Sequence, residues 1–138
     1  MLHTPPRPTD GELVILRALW HRGPSTVRQV LEVLERDRPT GYTTVLKLLQ
    51  IMHEKGLVQR DESERTHVYR ARSSELQTQR QLVRDMLDRA FDGSTTHLIL
   101  QALAIKRPSR AEAAEIRKNL QPADEGPVPP APEDNLLF

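Results

Sequence analysis

The sequence predicts a mainly α chain with one small β wing: a winged helix-turn-helix block followed by a second helical block and a tail. Three observations carry this. Apolar residues recur at helical spacing in successive stretches, most of them opened by a Ser or Thr with Glu or Gln three residues later. After the third stretch the texture changes to two short, partly β-branched runs separated by charged residues, as in a hairpin. Residues 122–138 hold four acidic and no basic side chains and five of the 11 prolines, a composition that cannot offset its own ordering entropy.

The elements follow in order. Thr9 and Glu12 make a capping box, Leu13, Leu16, Leu19 and Trp20 follow on one face, and Gly23-Pro24 stops the run. Thr26 with Gln29 opens a second helix, with Val27, Val30, Leu31 and Leu34 as its apolar positions and Pro39 as its expected stop. A third helix from Tyr42 to Lys55 places Val45, Leu48, Leu49 and Met52 on one stripe and closes at Gly56, which suits a left-handed cap. Residues 57–60 and 67–70 read as the two strands of a hairpin, which must pack on the helices because a lone hairpin is marginal. Ser74 with Gln77 then opens a long helix to about Phe91, residues 98–105 form a short apolar helix, and Ser109 with Glu112 opens a last helix to Leu120. The expected domains are 1–72, a winged-helix DNA-binding domain; 73–121, a helical dimerisation domain; and 122–138, a disordered Pro-rich acidic tail.

Composition removes several function classes. The longest aliphatic run, Leu13-Val14-Ile15-Leu16, is far too short to span a membrane, and the first residues offer prolines and Arg7 where a secretory segment needs an apolar block. A cytoplasmic address without membrane association is expected. The absence of cysteine excludes disulfides and thiolate chemistry, and His3, His21, His53, His67 and His97 are scattered without ligand spacing, so no metal site is expected. No nucleophile elbow or glycine-rich phosphate loop occurs. No catalytic residues, enzyme activity or cofactor are therefore expected.

Three short helices followed by a hairpin is the element order of a winged helix, whose third helix enters the major groove while the hairpin reaches the neighbouring backbone. On the third helix, Thr43, Lys47, Gln50 and Glu54 lie opposite the apolar stripe. Thr can touch a thymine methyl, Lys can donate to guanine or phosphate, and Gln can pair with adenine.

Further residues carry a family resemblance. Thr9-Asp10-x-Glu12-Leu13 leading to Leu19-Trp20, Thr26-Val27-Arg28-Gln29-Val30, Tyr42-Thr43-Thr44-Val45-Leu46 and Glu54-Lys55-Gly56-Leu57-Val58 occur in register, followed by Tyr69, Phe91-Asp92-Gly93-Ser94 and Glu115-Ile116-Arg117. Together they resemble the penicillinase-repressor family of bacterial winged-helix regulators over about residues 8–121. The resemblance implies a homodimeric transcriptional repressor on a double-stranded DNA operator with inverted repeats. It further implies base contacts from Thr43, Thr44, Leu46, Lys47 and Gln50, with Leu46 exposed, and backbone contacts from Thr26, Arg28, Tyr42, Lys55 and the wing-tip residues Ser63 and Arg65. Where the family commonly has Arg-Leu after Gln50, this chain has Ile51-Met52. Some members are inactivated by cleavage of an Asn-Phe bond, which aligns with Gln101-Ala102 here; an inducing protease is thus an implied partner, acting between about Gly93 and Pro108.

A helical segment of residues 73–121 is too small to bury its apolar side chains against itself. A second copy is the simplest cover for Leu76, Val83, Met86, Leu87, Ala90, Phe91, Leu98, Ile99, Leu103, Ile116 and Leu120. The alternative function is a winged helix serving as a protein-interaction module, since the first 72 residues carry only 12 basic against 9 acidic side chains.

Overall fold

The computed structural model describes residues 6–122, so the expected tail lies outside the described residues from 123 onward. Three helices, α1 (Asp10–Arg22), α2 (Val27–Leu34) and α3 (Tyr42–Lys55), precede a two-stranded antiparallel hairpin, β1 (Val58–Asp61) with β2 (Val68–Ala71). Three further helices follow: α4 (Glu75–Arg89), α5 (Thr95–Ile105) and α6 (Arg110–Leu120). This is the mainly α architecture with a β wing that the sequence predicts.

The capping boxes form as their residue types dictate. Thr9 accepts the Glu12 amide while the Glu12 carboxylate accepts the Thr9 amide, and Thr26 with Gln29 and Ser109 with Glu112 repeat the arrangement. α3 ends in a Schellman motif: Gly56, at φ +86°, donates to His53 O, and Leu57 donates to Met52 O at 2.8 Å. That bond occupies the Leu57 amide, so β1 starts at Val58, one residue later than expected, and β2 shifts with it. α2 also departs from expectation, ending at Leu34 instead of running to Pro39. Glu35, Arg36, Asp37 and Arg38 are all exposed and have nothing to bury, so the chain tightens into a turn, with Arg36 donating to Val33 O. α5 begins three residues early because the Ser94 hydroxyl caps it through the His97 amide.

One core holds α1, α2, α3 and the hairpin together. Ile15, Leu16 and Leu19 pack with Val27, Val30 and Leu31, with Val45, Leu49 and Met52, and with Leu57, Val58 and Tyr69. Burying each large aliphatic side chain contributes roughly 1.5–3 kcal/mol. The register pairs Arg60 with Tyr69, and Tyr69 also exchanges both backbone bonds with Ser25 at 2.7 and 2.9 Å, which ties the hairpin to the α1–α2 connection. The Trp20 indole donates to Ser73 O at 2.9 Å, and Thr78 on α4 is buried. The first compact unit accordingly runs to Met86; a second begins at Leu87. None of the described residues of the second unit is fully buried within the single chain.

Candidate nucleic-acid interface

α3 sits on its core through Val45, Leu49 and Met52, each completely buried. The opposite surface is polar and open: Tyr42, Thr43, Thr44, Lys47, Gln50 and Glu54 are all exposed. The helix period therefore separates a buried stripe from a face of hydroxyls, one ammonium and one amide, the chemistry suited to base edges. Its N-terminus is capped by Gly41 with no side-chain hydrogen bond. Beside it the Arg28 guanidinium lies over the Tyr42 ring, 5.1 Å from the centroid, so two expected backbone contacts from different helices share one spot.

Three of the expected contact residues have partners inside the fold. Lys55 is not a free cation: its Nζ donates to both Glu12 oxygens, at 2.7 and 3.0 Å, and the Glu12 side chain is only 3% exposed. Burial by itself would push the Glu12 pKa up, but the Lys55 ammonium and the Thr9 amide outweigh it, and the carboxyl titrates below its ordinary value. Lys55 thus fastens α3 to α1. Leu46 is half-buried and packs against the core, because its position falls on the flank of the stripe, so little of it is open to a thymine methyl. Thr26 is half-buried as well, and its hydroxyl accepts the Gln29 amide in the α2 cap.

Ser63 and Arg65 are exposed in the turn between the strands. Asp61 accepts the Ser63 amide at 2.9 Å, and that amide, followed by the Ser63 hydroxyl, lowers the Asp61 pKa. Glu62 is bonded to Arg60 at 2.6 Å, which lowers the carboxyl's pKa, while Tyr69 and then Glu62 raise that of Arg60. Arg65 is the one basic residue of the turn 61–66, against Asp61, Glu62 and Glu64. The cations of the wing stand mainly on its strands, where Arg70 donates to Gln59 at 3.0 Å. Arg70 and Arg72, outside the expected contacts, follow each other at strand spacing on one face of the hairpin, whereas Arg60, opposite Tyr69, lies on the other.

On the remaining helices the apolar residues face outward. Leu76, Val83 and Met86 on α4, Ile99 on α5, and Ile116 and Leu120 on α6 are exposed, as is Ala90, while Leu87, Phe91, Leu98 and Leu103 are half-buried. Leu100 and Ile105, outside the expected set, are exposed too, Ile105 to 84%. Among the described residues no cluster of His, Asp and Glu is arranged to hold a metal ion, and no helix is long and apolar enough to cross a membrane.

The family model described as "Penicillinase repressor" matches residues 8–122. Curated proteins named "Transcriptional regulator BlaI", from two strains of Mycobacterium tuberculosis, are 34% identical over 125 residues, covering 88% of this chain and 90% of theirs. A solved structure, the solution structure of the DNA-binding domain of the repressor BlaI, matches with a TM-score of 0.47 and 20% identity over 54% of this chain and 90% of its own.

Proposed function

The chain belongs to the penicillinase repressor family, and from that membership and the polar face of α3 we propose that this transcriptional repressor binds its operator as a homodimer. The relatives it matches are regulators of transcription, not enzymes. In this reading α3 lies in the major groove, Thr43, Thr44, Lys47 and Gln50 meet base edges, and Arg28, Tyr42 and Arg65 meet phosphates. A dimer with two-fold symmetry then requires an inverted repeat. The second copy covers the outward apolar residues of α4, α5 and α6. A bacterial repressor of this kind works in the cytoplasm, with the DNA duplex and its own second copy as partners.

The observation that carries the reading is the exposed Thr43-Thr44-Lys47-Gln50 surface, held rigidly by three completely buried residues and by the Lys55–Glu12 pair. Lys47→Ala tests it. The substitution should weaken binding to a site selected from random duplex DNA by about 1–3 kcal/mol and relax preference at one position of each half-site. Unchanged affinity and preference would show that α3 is not the reader. For relief of repression, an inducing protease cutting between Gly93 and Pro108 fits the chain best at 106–108, where the backbone leaves α5 before the Ser109 cap of α6. Mass spectrometry of the chain from induced cells checks this, with intact protein throughout induction as the contrary result.

A further inference from the structure

Beside the last turn of α3 the wing leaves a cleft of about 510 Å³, lined by His53 and by Arg60, Asp61, Arg70 and Arg72 of the hairpin and its exit. Its electrostatics are lopsided. Arg60 is engaged by Glu62, and the Asp61 carboxylate is held by Ser63, yet the three guanidiniums still outnumber these two carboxylates. Arg70 donates its Nε to Gln59, and its charge also acts on Asp61, while its terminal nitrogens make no hydrogen bond among the described residues. Arg72 has no ion pair among the described residues, and one of its terminal nitrogens would stand 4.0 Å from a Cβ on Gly56, so its charge rests at the end of α3. The Nδ1 atom of His53, three residues earlier on that turn, is buried without a hydrogen-bond partner. The His53 ring lines the same cleft, so it senses what enters beside the guanidiniums.

We infer that this cleft between α3 and the wing strands binds a phosphate-class oxyanion, with Arg70 and Arg72 supplying the charge and the His53 ring forming its wall. More than one guanidinium over a single cavity suits a ligand with several acceptor oxygens and more than one negative charge, and the planar fork of Arg matches phosphate oxygens in pairs. Beyond Arg65 at the tip, the wing's further open positive charge is carried by Arg70 on β2 and by Arg72 at its exit. The oxyanion is either a phosphodiester of a bound duplex or a free phosphorylated compound. The inference stands on the wing's own geometry and does not require α3 to read bases.

The test uses the full chain and inorganic pyrophosphate, with the His53 ring signals followed by NMR against KCl at matched ionic strength. Pyrophosphate should shift those signals saturably, and Arg70→Gln combined with Arg72→Gln should weaken its affinity at least tenfold. Both residues are exposed, and Arg17→Gln, on the outer surface of α1, serves as the charge-matched control that leaves affinity within twofold. A random-sequence duplex then separates the sources. If the duplex displaces pyrophosphate, the cleft takes the DNA backbone; if pyrophosphate binds the duplex-bound protein as well as the free one, the ligand is a free phosphate compound. Pyrophosphate binding in a chain that binds no duplex would retain the cleft and overturn the repressor reading. No saturable His53 shift with either pyrophosphate or duplex, or a double variant that binds as tightly as the unaltered chain, would overturn the cleft.

Discussion

Glu12 takes part in two structures at once: its carboxylate closes the α1 capping box and receives Lys55 from the end of α3. Removing the ammonium leaves a nearly buried carboxylate short of its charged donor, so Lys55→Ala should destabilise the fold by about 1.5–3 kcal/mol in urea unfolding. The pair also sets a pH dependence. The folded-state pKa of Glu12 lies below its ordinary value of 4.5, so the unfolded chain binds the proton more tightly. The resulting stability is complete above the unfolded pKa and is lost as pH falls through the folded one. Unfolding free energies between pH 7 and pH 3 should therefore drop less steeply in Glu12→Gln than in the unaltered chain, even though the variant starts lower; parallel profiles would assign the acid sensitivity elsewhere. None of this was legible in the sequence. The capping box announces Glu12 as a helix-start residue, but its partner lies 43 positions away, and only the packing of α3 on α1 brings the two together.

At the scale of elements, legibility followed whether a boundary is set locally. α3 was readable, its end above all, because an apolar stripe runs into Gly56, which alone adopts the left-handed conformation there without strain. Gly56→Ala should cost about 1–2 kcal/mol by calorimetry, a conformational penalty only, since the nearest atom to the added Cβ is 4.0 Å away. A loss well above that range would mean the Schellman turn also positions the wing. Where tertiary packing decides, local signals misled. Pro39 forbids a helix but does not compel one to reach it, and the exposed residues Glu35 and Arg36 give α2 no reason to continue. Leu57 has the composition of a strand residue, yet its amide is already bonded to Met52 O. Leu46 carries the resemblance to a recognition helix, but its place beside the buried stripe draws it toward the core.

For the whole molecule the decisive quantity is apolar surface left open by a single chain. α5 carries leucine, isoleucine or alanine on nearly every side and buries none of them fully, a pattern that helices show when other helices surround them. In the proposed homodimer these apolar residues of α4, α5 and α6 are covered by the second copy, whereas the winged helix owns a closed core and includes the start of α4 through Trp20–Ser73 and Thr78. A chain ending at Arg89 keeps those contacts and should fold as a monomer, while the full chain should sediment as a dimer at tens of micromolar. On a single half-site the two should bind equally, because each presents one α3. On an inverted repeat the full chain should gain about 10²–10⁴-fold, the usual return from making the second contact intramolecular. Both affinities should fall steeply with salt, by a slope of roughly 0.9 per phosphate neutralised, which docking onto a protein surface would not produce. Equal affinity of the two chains for the inverted repeat would show that α5 and α6 serve something other than pairing the two α3 helices. A flat salt response would instead favour a winged helix that binds protein.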